Sequence, residues 1–280
     1  MKPWLDAAGE VAVVTVAYGG VTVLLHHLAS KSQGKEVPRT GGRIEVKALA
    51  TGCILALALR PLVGSLRLGS LGVTASVWMF LLLLTFLLNM IEITVFTEGR
   101  SPVRLRDVIG AVLVSGVTAS AVGAVTTTAA PGALMKNLAE WFNAFGWKEG
   151  VGRVLGAAVA YMVAYIVIGS ATWPLVRSYY SNPSTGLRLR VPSGGVIIPL
   201  QTGRGLFVTL AVLPLAASTA AHGWDWGLRF WLALSASGAV VPLVLAREWP
   251  LRLRLIHGVE ITVFFMVLTP ALWWMLAARS

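Results

Sequence analysis

The stretch VWMFLLLLTFLLNMIEITVF, residues 77–96, decides the fold class. It carries one charge, Glu92, over the about 20 residues that a helix needs to cross a hydrocarbon core of about 30 Å. A helix satisfies its own backbone hydrogen bonds inside lipid, which is why such a run reads as a membrane span. Working outward in both directions, eight such runs appear, at 9–29, 46–66, 71–97, 107–129, 153–175, 205–222, 228–246 and 255–277. The expected fold is all-α: a polytopic helical membrane protein with a single membrane domain over 1–280. The second run, with Arg60 and Pro61 inside it, is the weakest, and a broken or re-entrant segment is the alternative there.

Composition agrees. Hydrophobic residues make up 56% of the chain and charged residues 12%, with a mean hydropathy of +0.75. A soluble domain carries about 25% charged residues, so this chain could not cover its surface in water. The alternating strands of about 10 residues that mark a membrane barrel are absent. The formal net charge of +11 is read as loop charge that orients helices, and nucleic acid is not an expected partner. Eleven tryptophans suit the membrane interface. The single cysteine, Cys53, excludes an intramolecular disulfide framework.

Basic residues collect in alternate connections: Lys31, Lys35, Arg39, Arg43 and Lys47 in 30–47, then further arginines in 98–106, 176–204 and 247–254. By the positive-inside rule these connections face the cytoplasm, both termini lie outside, and the host is an inner or plasma membrane. In the connection 134–147, Leu134, Leu138, Trp141, Phe142 and Phe145 recur at helical spacing. This is an amphipathic helix, lying in the interface or packed on the bundle. The Pro-, Gly- and Ser-rich stretch 179–195 is the main loop. The fourth and fifth spans are dense in Gly, Ala, Ser and Thr, which let membrane helices approach closely. Thr126, Thr127 and Thr128 either line a water path or bond back to their own helix. Asp225 is a candidate helix cap, with Trp224 and Trp226 as interface anchors.

The functional question comes from a repeated pattern. The quoted run ends in NMIEITVF (89–96), and HGVEITVF recurs at 257–264. At a rise of about 1.5 Å per residue, Glu92 and Glu260 both fall roughly 7–9 Å inside the same membrane boundary. Asn89 and His257 each precede a glutamate by three positions and share its helical face. An acid near the centre of a span costs about 2.5–3.5 kcal/mol, so such residues usually face the bundle interior and have a role. A polar chamber of Asn89, Glu92, His257 and Glu260 is therefore expected, with Glu92 and Glu260 as the chemical groups and His26 and His27, at the same end of the first span, as further solute-binding candidates. Arg100 is placed to reach Glu98 or Glu92. Arg204 is read as an anchor just before the sixth span, or as a contact for an anionic group. A His and carboxylate set can relay protons or hold a metal, so both metal and cofactor stay open. The similarity around EITVF also fits an inverted repeat, though it fades outside the pentamer.

Several activities are excluded by their missing motifs. There is no phosphate-cradling GxxxxGK[ST] loop, no GxSxG elbow and no HExxH helix. Three readings remain: a transporter or permease for a small solute or ion using buried carboxylates, with proton coupling open; an intramembrane enzyme acting on a lipid-soluble substrate through glutamate acid–base chemistry; or a non-catalytic subunit. The lipid bilayer is a partner in each, with a homo-oligomer or a membrane partner subunit open.

Overall fold

The hydrophobic runs fold as helices nearly end to end. The computed structural model describes residues 3–32, 41–96, 104–126, 134–181, 189–245 and 249–277. The helices are α1 (Pro3–Ser32), α2 (Gly41–Val63), α3 (Ser70–Phe96), α4 (Leu105–Val125), α5 (Leu134–Phe145), α6 (Trp147–Ser181), α7 (Gly194–Ser218), α8 (Gly223–Val244) and α9 (Leu251–Leu276). All but α5 are long and apolar enough to cross a membrane. The protein is an all-α integral membrane protein. An isolated antiparallel bridge joins Leu66 and Thr219.

Neighbouring spans close a circuit: α1 packs on α2, α2 on α8, α8 on α9, α9 on α6, α6 on α7, α7 on α3, α3 on α4, and α4 back on α1. Residues at helical spacing fill the interior, such as Val73, Val77 and Phe80 on α3, Val208, Val212 and Leu215 on α7, and Leu268 and Leu272 on α9. Leucines and valines also cover the outside, Val16, Leu24 and Val167 among them. Apolar residues on both faces are what a lipid environment requires. The starts of α4 and α9 bring Arg104, Arg106, Arg252 and Arg254 to one end of the bundle, here the basic end.

Four helices are to be compared with their expected form. α7 begins at Gly194 rather than 205, with Ser193 as its extended N-cap. The apolar residues before Arg204 are thus helical, and Arg204 lies inside the span. α2 is not broken: Pro61 falls in its last turns. Its last turns are held from outside, the Arg60 side chain by Glu10 of α1 at 2.8 Å and the Pro61 backbone carbonyl by the Arg229 guanidinium of α8. α3 and α8 each contain a π-helical turn, at Leu82–Leu87 and Ala236–Val240, and these two turns touch across the bundle.

The amphipathic helix α5 turns its apolar stripe onto α6 and α7 at the end opposite the basic one. Trp141 is buried there and donates its indole N–H to the Leu276 carbonyl at 2.7 Å. Arg153 of α6 completes that corner. It bonds Glu149, the carbonyls of Trp274 and Met275 at the end of α9, and stacks over Phe145. Asp225 pairs with Arg229 instead of capping α8, and Trp226 is core, stacked on Phe230, while Trp224 is exposed. Thr126 bonds back to the Val122 carbonyl at 2.6 Å; Thr127 and Thr128 lie outside the described residues, as do Glu98 and Arg100.

The α6–α7 crossing is backbone on backbone. A β-carbon at Gly205 would strike the Ala158 carbonyl oxygen and come within 2.8 Å of Tyr161 Cβ. Close approach of this kind is how apolar helices gain packing energy without a hydrophobic gradient between them. Gly205→Leu is expected to separate the two helices, at a cost beyond the about 1–3 kcal/mol of ordinary overpacking. Gly203→Leu, with open space at its β position, should be tolerated. Size-exclusion profiles of the two detergent-extracted variants check this: only the first should lose its monodisperse peak.

Candidate functional site

The two glutamates meet. Glu92 on α3 and Glu260 on α9 lie on either side of one imidazole, that of His257. Its Nδ1 is 2.8 Å from Glu260 Oε2, one turn along α9, and its Nε2 is 3.9 Å from Glu92 Oε1. The contact to Glu260 needs a single proton between nitrogen and oxygen, so the pair shares it whichever atom owns it. On the far side, Thr172 of α6 donates its hydroxyl to Glu260 Oε1 at 2.7 Å. Arg204 of α7 donates from Nη2 to Glu92 Oε2 at 3.0 Å and from Nη1 to the Gln201 side-chain oxygen at 3.3 Å. Arg204, Glu92, His257, Glu260 and Thr172 thus form one polar chain that ties together four helices.

The two acids are not equivalent. Glu92 is neutralised by a guanidinium that stays protonated in any protein setting. Glu260 has only an imidazole and a hydroxyl, which are groups that exchange or redirect protons. The Arg204 side chain is 10% exposed and that of Glu92 20%, so the ion pair sits mostly out of water. Among the described residues, the Nε of Arg204 and the side-chain nitrogen of Gln201 have no hydrogen-bond partner.

This chain forms the wall between two spaces. A cavity of about 670 Å³ lies toward the basic end, and Asn89, Glu92, His257 and Glu260 all line it. Its rim includes Phe96, Leu189, Val191 and Trp249, from the α3 terminus and two connections. The connection is fastened there: Arg190 donates its backbone N–H to the Phe96 carbonyl at 3.0 Å and its side-chain Nε to the Val95 carbonyl at 2.7 Å. A smaller space of about 50 Å³ shares the same four polar residues and is completed by Arg204, Tyr161 and Phe264.

The π turns adjoin this site. π-Helical turns occur often at functional sites, where they displace side chains from regular helical register. In α3 the turn immediately precedes Asn89, whose amide donates to the Thr85 carbonyl within the turn at 2.7 Å. In α8 it presents Gly238 to both cavities, and a β-carbon there would meet the Phe265 ring at 2.7 Å. The two EITVF copies also behave alike locally. Thr94 and Thr262 each bond back to a carbonyl one turn earlier, at 2.8 and 2.7 Å, and Phe96 and Phe264 each line a cavity.

No family model, curated protein or solved structure matches the chain. The site is therefore read on its own geometry. His26 and His27 lie on α1, which packs on α2 and α4, and neither lines the two cavities at the glutamates. His27 Nδ1 instead donates to the Val23 carbonyl at 2.9 Å, and the two rings meet edge to face. Among the described residues there is no group of three or more His, Cys, Asp or Glu arranged to hold a metal ion. Arg204 is the residue that sequence reasoning misplaces. Its signal is the apolar run on both sides of it, which makes it an intramembrane cation in need of an acid.

Arg204→Met should leave the Glu92 carboxylate unpaired. The expected cost is about 3 kcal/mol, the low end for breaking a buried pair, because Glu92 keeps some exposure. Adding Glu92→Gln to that variant should restore most of the loss. Thermal unfolding of the purified full chain in detergent checks both, and equal losses in the single and double variants would remove the pair from its structural role.

Proposed function

We propose that this chain is a permease for a small organic solute, with the Glu260–His257 pair carrying a coupled proton. The observation that supports the reading is the juxtaposition of a cavity of about 670 Å³ with a polar chain inside an apolar bundle. Ligand sites commonly enclose about 300–1,000 Å³, with mostly apolar walls and a few converging polar groups. In this reading Arg204 and Glu92 fix the chain in place and supply a constant field. Glu260 and His257 are the variable part: one proton lies between them, and its arrival or departure changes the charge that the solute meets. Asn89 offers a neutral polar group on the same wall.

The mainly apolar wall also favours a second reading, in which a lipid-soluble substrate enters and the two carboxyls act as general acid and base. Water access separates the two. The α6 residues Ile166 and Val167 are adjacent in sequence, but Ile166 lines the cavity and Val167 faces outward, 59% exposed. After Cys53→Ser, the permease reading expects Ile166→Cys and Ile261→Cys to react with a membrane-impermeant maleimide from one side, and Val167→Cys to resist. Equal resistance at all three positions would favour entry from lipid. In proteoliposomes, Glu260→Gln should cut solute-coupled proton flux at least tenfold while the protein stays folded, since Gln still bonds His257 and Thr172. Undiminished coupling in that variant would overturn the assignment of Glu260.

A further inference from the structure

We infer that the large cavity takes a monovalent lipophilic organic cation, such as a hydrophobic amine or a quaternary onium ion, in exchange for the proton held at Glu260 and His257. This rests on the permease reading and gives it a substrate class. Three observations carry it.

The first is the sign of charge on the wall. Glu92, Glu260 and His257 line the cavity, but Arg204 does not; it lies behind Glu92 and lines only the small space. Among the described residues, the ionisable groups presented to an occupant are thus two carboxylates and one imidazole, besides two phenols, with no Lys or Arg. The groups facing Glu260 come from every helix around it. His257 comes from α9, Thr172 from α6, Glu92 from α3 with Arg204 of α7 behind it, and α6 adds the phenols of Tyr165 and Tyr180. The α8 residues on the cavity, Gly238, Pro242 and Leu243, carry no charge. With the proton present, His257 balances Glu260. With the proton gone, Glu260 is left an anion that bonds no Lys or Arg among the described residues, and a positive occupant restores the balance.

The second observation is aromatic. Phe86, Phe96, Tyr165, Trp173, Tyr180 and Trp249 surround the same space. Aromatic faces attract cations through the ring quadrupole, more strongly when water is excluded, and they do not attract anions in this way. Trp249 also packs against the imidazole, with ring centres 5.5 Å apart, so aromatic wall and proton site are in contact.

The third is size against polarity. A space of about 670 Å³ with acidic groups on one wall suits a bulky apolar body bearing a single charge. An inorganic ion would leave most of the apolar surface without a partner.

The experiment uses the purified full chain in detergent and reads quenching of its tryptophan fluorescence. The probes are tetraphenylphosphonium and the anion tetraphenylborate, which match in shape and differ in charge. Tetraphenylphosphonium should bind at least tenfold more tightly than tetraphenylborate and release a proton into weakly buffered solution. Glu260→Gln should weaken cation binding at least tenfold and abolish the release, and Trp249→Leu should weaken it several-fold. The comparison of cation with anion on the unaltered chain does not depend on any variant folding. Equal or tighter binding of tetraphenylborate, or cation binding within twofold of wild type in Glu260→Gln, overturns the inference. Binding is read without flux, so the two claims fail separately. Cation binding with no movement in proteoliposomes removes the permease and leaves the cation site; coupled movement of a neutral or anionic solute without tetraphenylphosphonium binding does the reverse.

Discussion

The ion pair between Arg204 and Glu92 is the constraint around which the site end of this bundle is organised. Either group alone inside an apolar helix is expensive, and each makes the other tolerable only at close range. Their contact fixes the rotation of α7 against α3. It also brings Glu92 to within reach of His257, and through His257 the arrangement extends to Glu260 and Thr172. Van der Waals packing alone does not specify such a rotation, because lipid is as good a neighbour for leucine as another helix is.

The overall architecture is legible in the sequence because it comes from one requirement, that backbone hydrogen bonds be satisfied inside lipid. Length and hydropathy therefore locate all eight spans. The convergence of Glu92, His257 and Glu260 is also within reach, since equal depth and a spacing of three residues can be counted along a helix. Boundaries set by charge are less secure. An arginine normally marks a loop, and Arg204 does not, because its partner lies on a helix far away in sequence. His26 and His27 show the opposite error: shared depth groups them with the acids, but depth says nothing about which helices are neighbours.

Facing direction is obscured further by the π turns. A regular helical wheel drawn along α3 assumes one register from Ser70 to Phe96, and the turn at Leu82–Leu87 breaks it before Asn89. The sequence of that turn, LLLTFL, is apolar and gives no local sign of the change. The same holds for ASGAV in α8. Each turn shifts the register of the residues after it, so the facing direction of Asn89 and Glu92 does not follow from a wheel begun at Ser70.

The two rims of the barrel are laced by different materials. Away from the cavity, beside the Arg153 corner, the ties include backbone amides and an indole: Arg67 to Ser218, Ala220 to Ser65, and Trp141 to Leu276. No proton in those ties comes or goes at physiological pH. Near the cavity, beside the Arg190 bonds to Val95 and Phe96, the lacing includes imidazole and carboxylate, whose strength depends on acidity. If a proton comes or goes there, as the proposed function requires, the change falls on the end that holds His257 and Glu260, while the amide and indole ties at the other end keep their strength.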